Sequence, residues 1–149
     1  MSIRPAIQTD VTQIAGLVKS LAHFYLDDPR AELPSWLNET LSDEAFTSRI
    51  SSSKYLNFVF EEADSIVGYI SIESPGHLYH LFVSEKFQGK GISRLLWEHA
   101  RQNCHDTTFS LRSSLHAIPV YKQFGFSESG PVGTKDGVSF QPMRMQNKC

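Results

Sequence analysis

The sequence predicts an α/β fold of the α+β kind: a mixed, mostly antiparallel central sheet of six to seven strands, with about four helices on both faces. Three observations predict it. Tyr55–Glu61 and Ser65–Glu73 read as strands joined by a short acidic turn, and Pro75-Gly76 turns the chain into a third, His77–Val83. Apolar residues recur at helical spacing from Val11 and again from Ile92. Two consecutive hairpins argue against a purely parallel, doubly wound sheet. The 149 residues are read as one domain, 1–149, with enough chain for a substantial core.

In order, Ser2–Ala6 is a short first strand. Thr9 is read as the N-cap of a helix whose inner face is Val11, Ile14, Ala15, Val18, Leu21 and Ala22, ending near Leu26. Residues 27–39, with Pro29 and Pro34, read as irregular. Ser42-Asp43-Glu44 caps a second helix with Ala45, Phe46 and Ile50 inward, stopped by Ser51-Ser52-Ser53. In the next strand Leu56, Phe58 and Phe60 alternate with Asn57, Val59 and Glu61. By the same alternation His77, Tyr79, Leu81 and Val83 share one face of their strand, and His80 lies on the other. Thr107–Leu111 is a strand and Ala117–Phe124 a short helix that Gly125 ends. Phe126 starts a strand, Asp136-Gly137 is a turn, and Val138–Met145 is the last strand.

Composition narrows the function. Net charge is −2, with no basic-aromatic stripe, so a nucleic-acid partner is not expected. No apolar run approaches the roughly 20 residues that span a bilayer, and Met1–Pro5 lacks the apolar segment of a signal peptide. A cytoplasmic protein without membrane contact is expected. Cys104 and Cys149 give no disulfide framework. His99, Cys104 and His105 do not match a common metal site, so no metal is expected.

The richest stretch is His77–Ala100. A strand runs to Val83, Ser84–Lys86 is polar, Gln88-Gly89-Lys90-Gly91 comes next, and a helix opens at Ile92. A helix mouth presents unpaired N–H groups with the helix dipole behind them, and so binds phosphate. Gly89 and Gly91 let the backbone approach the ligand, and Lys90 adds a positive charge.

Gln88-Gly89-Lys90-Gly91-Ile92-Ser93 after a strand resembles the acyl-CoA signature of the GNAT N-acetyltransferases, Q/R-x-x-G-x-G/A. Ser93 stands where the family has Gly or Ala. Ala117–Phe126, A-I-P-V-Y-K-Q-F-G-F, resembles the family's A-x-x-x-Y-x-x-x-G-F, and the order of elements agrees over nearly the whole chain. The resemblance implies a GNAT-like sheet and acetyl-CoA as cosubstrate. It implies direct acetyl transfer in a ternary complex to a small-molecule or protein amine, and a possible homodimer. It places the pantetheine arm along the backbone of Leu81, Phe82 and Val83, the diphosphate over Gln88–Ser93, and Ser114 where many members carry an arm-contacting Asn. It also requires the strand His77–Val83 to diverge from Thr107–Leu111.

The resemblance makes Tyr121 the acid that protonates the leaving thiolate; as a bare residue type it reads first as a packing tyrosine. An ammonium acceptor, with a pKa of about 10.4, must lose a proton before attack. His77, Glu73, His80 and a water relay remain open as the route. Asp27, Asp28 and Glu32 read as a solvated loop or as attraction for a cationic acceptor. Phe24, Tyr25 and Trp36 are core or acceptor pocket. Arg94 and Arg101 are exposed helix residues or contacts to the nucleotide. A non-catalytic acyl-CoA-binding module is the alternative function. A dinucleotide oxidoreductase fits poorly, because Arg94 occupies the place of the third glycine.

Overall fold

The structure, a computed structural model, describes residues 2–146; Cys149 lies outside them. Eight strands form one sheet in the order β1-β2-β3-β4-β5-β8-β6, with β7 also paired to β8. They are β1 (Ser2–Pro5), β2 (Tyr55–Glu62), β3 (Ser65–Glu73), β4 (His77–Val83), β5 (Thr108–Ser114), β6 (Ser127–Glu128), β7 (Gly133–Lys135) and β8 (Val138–Gln146). Five α-helices flank it: α1 (Val11–Leu21), α2 (Ser35–Thr40), α3 (Asp43–Ser51), α4 (Ile92–Gln102) and α5 (Ile118–Phe124). Every neighbouring pair is antiparallel except β4–β5. Among the described residues no helix is long and apolar enough to cross a membrane.

Each sheet face carries its own core. Val59, Tyr69 and Phe82 pack with α1 and with Phe46 of α3. Phe58, Ile70, Leu78, Val83, Phe109 and Leu111 pack with Ile92, Leu96, Trp97 and Ala100 of α4. Trp97 is fully buried, edge-on to Phe109 at 5.1 Å between ring centroids, and so is a packing residue. Full burial of such side chains contributes about 1.5–3 kcal/mol each.

Several local expectations are corrected. The N-cap of α1 is Asp10, not Thr9. Asp10 accepts from the Ile7 amide at 2.8 Å and from both terminal nitrogens of Arg4 at 2.8 and 2.9 Å, which ties β1 to α1. The helix stops at Leu21 and tightens into a 3-10 turn, Ala22–Tyr25. The stretch 27–39 is not irregular throughout: α2 begins at Ser35, with Pro34 as its extended N-cap. Ser42 does cap α3, accepting from the Ala45 amide at 3.2 Å. β5 continues past Leu111 to Ser114 because β8 pairs with it over the whole length.

The strand alternation of β4 is also corrected. Ser71 of β3 faces His80 while Ile72 faces Leu78, so Tyr79 is an extra, bulged residue. Leu78, Leu81 and Val83 therefore turn toward the α4 core, and Phe82 toward α1. His77 does not share the face of Leu81. It meets Ser110, whose neighbours Phe109 and Leu111 both point into the α4 core.

The Arg4–Asp10 pair gives a test of stability. Hydrogen bonds from Arg4, more than the Ile7 amide, hold the Asp10 carboxyl below its ordinary value against the opposing effect of burial. A depressed carboxylate contributes stability above the unfolded value of about 3.9 and loses it as pH falls through the folded value. Asp10→Asn is expected to cost about 1–3 kcal/mol at neutral pH. In thermal unfolding the gap to the wild type should stay flat down to about pH 4 and close below it.

Candidate active site

Beyond the bulge, β4 and β5 part. Their parallel pairing ends after two residue pairs, His77–Ser110 and Leu78–Leu111. β5 then runs along β8, with which it makes seven pairs. Among the described residues the side of β4 that faced β5 has no strand partner from Tyr79 onward, and only its last carbonyl, that of Val83, is taken by a side chain. A cleft of about 290 Å³ opens there.

One end of the cleft is the mouth of α4. Gly91 is the N-cap, with φ +81°, and Gly89 has φ +78°. Both angles lie in the left-handed region that glycine tolerates. Among the described residues no side-chain hydrogen bond caps this helix, which leaves its first amides open to a ligand. A Cβ built on either glycine would meet nothing within 4 Å, so the space above the loop is open. The Gln88 amide donates to the Val83 carbonyl at 2.9 Å and clips the loop to the end of β4.

Gln88, Gly89, Gly91, Ile92 and Ser93 all line the cleft, as do Leu81, Phe82, Val83, Ser114 and Tyr121. Lys90 does not; its ammonium lies 5.1 Å from the Phe87 ring centroid. Ser114 accepts from the Ala117 amide at 3.2 Å and so caps the turn before α5. Arg94 donates to the Gln123 carbonyl at 2.9 Å, and Arg101 pairs with Glu98.

Tyr121 projects from α5 between Phe124 and Phe126, each 6.0 Å away between ring centroids. Burial pushes its phenol well above the usual value, so it carries its proton at any physiological pH. Tyr25 lines the same cleft and is raised by burial first, then by the neighbouring phenols of Tyr121 and Tyr79.

Glu73 and His77 face each other across β3 and β4 and do not line the cleft. Glu73 accepts from the Tyr55 hydroxyl at 2.6 Å, and His77 Nδ1 lies 3.1 Å from Ser110 Oγ. Burial lowers the His77 pKa; Glu73 opposes that and Arg112 adds to it. Tyr79, which does line the cleft, sits edge-on to both the His77 and Tyr55 rings, at 6.5 and 5.7 Å. His80 is enclosed by Phe46, Tyr79 and Phe82, and burial lowers its pKa to about 3. It is a neutral core residue without access to the cleft.

On the far side, Phe24 and Tyr25 line the cleft but Trp36 does not; its indole donates to Asp136 at 2.8 Å. Phe24 stacks on His116 at 4.8 Å, joining the turn after α1 to the turn before α5. Sequence reasoning missed Arg112, His116, Phe87 and Val120 as lining residues. Arg112 had a usable signal: with Phe109 and Leu111 inward, the next residue must face the other way. A strand ending at Leu111 leaves that residue out.

A family model described as an acetyltransferase (GNAT) domain matches residues 25–147. No curated protein sequence matches the chain significantly. Among solved structures, the PaiA N-acetyltransferase of Thermoplasma acidophilum in complex with coenzyme A superposes with a TM-score of 0.79 at 18% identity, covering 98% of each chain. An aminoglycoside 6′-N-acetyltransferase complexed with coenzyme A gives 0.73 at 12% identity, over 98% of this chain and 97% of that one. The ribosomal-protein-S18-alanine N-acetyltransferase of Escherichia coli gives 0.69 at 19% identity, over 97% and 92%. At these identities the likeness is one of fold.

Proposed function

This chain belongs to the GNAT acetyltransferase family, and from that premise we propose that it transfers an acetyl group from acetyl-CoA directly to an amine nitrogen, with both substrates bound at once. The observation that carries this is the continuity of one cleft. A free strand edge, an uncapped helix mouth and a protonated tyrosine all open into it.

The helix mouth suits the diphosphate, through amides and dipole together. The open edge of β4 suits the two amides of the pantetheine arm, by strand-like addition. That route leads the thioester toward the crotch where β4 leaves β5, and toward Tyr121.

The amine nitrogen bonds to the acetyl carbon, the carbon–sulfur bond breaks, and the sulfur departs with the electron pair. Tyr121 donates a hydrogen bond to that sulfur. A thiol's ordinary pKa of about 8.5 lies below a phenol's, so complete proton transfer would be uphill for a thiolate in water. Burial raises the thiol too, and the proton can follow as the sulfur gains charge. The proton lost by the amine passes by water along Tyr79 toward the His77–Glu73 pair. His77, lowered by burial, is neutral at pH 7 and able to accept it. Neither cysteine is needed.

The test mixes protein, acetyl-CoA and a panel of amines and follows free thiol. Release that requires an amine supports the proposal. Release without amine, or coenzyme binding with no turnover on any amine, would replace it with hydrolysis or with a carrier module.

A further inference from the structure

The acceptor half of the cleft has a chemical character of its own, and its assignment to a substrate class rests on the transferase function proposed for this chain. Its walls are rings: Phe24, Tyr25 and Tyr79, with His116 stacked on Phe24. Among the described lining residues none is Asp or Glu, and the one permanently charged group is Arg112. The loop carboxylates Asp27, Asp28 and Glu32 do not line it.

Arg112 is the first residue of β5 past its last pairing with β4. It lies on the strand face opposite Phe109 and Leu111, the face that also carries Ser110 against His77. Its guanidinium rests 5.3 Å from the Phe140 ring centroid, and among the described residues no carboxylate lies within ion-pair distance of it. A guanidinium held on an aromatic ring keeps its fork of donors available, and that fork matches a carboxylate with two parallel bonds.

We propose that the acceptor is a small primary amine bearing a carboxylate on an apolar or aromatic body, and that Arg112 binds that carboxylate. The site then takes amino-acid-like acceptors and rejects polycations. A polyamine entering it would meet a cation, with no anion in the lining to replace its water. Arg112 is exposed, so the contrast between a carboxylate and its carboxamide is one of charge-assisted, paired bonds made with the guanidinium fork.

The test uses matched pairs of aromatic and aliphatic α-amino acids and their carboxamides, with spermidine as the polycation. Each is titrated calorimetrically into the CoA-loaded protein and assayed for thiol release with acetyl-CoA. At least one acid is expected to bind ten-fold or more tightly than its amide. Arg112→Gln should collapse that ratio to near one, and Arg112→Lys should restore part of it. Equal affinity within every pair, preference for amides (as for a peptide N-terminus), preference for spermidine, or no binding by any acid would overturn the proposal. Discriminating binding without turnover would leave the Arg112 site standing and sink the transferase function instead.

Discussion

Replacing Tyr121 with Phe is expected to lower kcat about 100- to 1,000-fold while leaving CoA affinity within about three-fold. The ring is a packing unit: it meets Phe124 and Phe126 edge-on, and Phe preserves those contacts. Only the hydroxyl is removed, and with it the proposed donor to the departing sulfur. Calorimetry with CoA separates binding from turnover, and a thermal melt confirms the fold. A tyrosine that only packs would keep both kcat and melting temperature in this variant, because its ring contacts are unchanged. Leaving-group chemistry supplies a second readout. A less basic thiol needs less help, so the deficit should shrink with an acetyl donor of lower thiol pKa.

Gly91→Glu is expected to weaken CoA binding at least 100-fold. Two effects combine. The left-handed backbone at Gly91 costs a side-chain-bearing residue about 1–2 kcal/mol, and avoiding that cost would rotate the first helical amides away from the diphosphate. The new carboxylate would also stand in the open space above the loop, where the diphosphate is proposed to bind, like charge against like. Gly91→Ala separates the two, keeping the strain and omitting the charge; a loss of about ten-fold is expected, since 1.4 kcal/mol is a factor of ten. No atom lies within 4 Å of the added Cβ, so melting should fall by only a few degrees. Unchanged CoA affinity in Gly91→Glu would mean the diphosphate binds elsewhere.

The sequence discloses what short segments decide by themselves. The strand, glycine loop and helix of 77–102 are each specified by neighbours a few residues apart, and so is the Ser42 cap. The two-residue turn at Asp136-Gly137, where both residues take positive φ, is equally local. Tyr121 stands out only through family resemblance, because nothing in its residue type distinguishes a donor from a packing ring. The bulge at Tyr79 is hidden, since His-Leu-Tyr-His contains no Gly or Pro to mark it. It exists because β3 and β4 register differently on its two sides. Pro34 has the look of a breaker, yet it starts a helix. The end of β5 is set by β8, a segment that begins more than twenty residues later. Arg112, in the part of β5 that only β8 specifies, is hidden for the same reason.

The placement of β8 also has a consequence for biosynthesis. This strand comes after all the others in the chain, yet it lies between β5 and β6, and it supplies most of the pairing that holds β5 off β4. A nascent polypeptide halted before residue 138 would already contain the glycine loop, the α4 mouth and Tyr121, but not the partner that pulls the two walls apart. Affinity for the coenzyme should thus arrive abruptly once β8 is made, and ribosome-stalled intermediates that end before residue 138 should lack it.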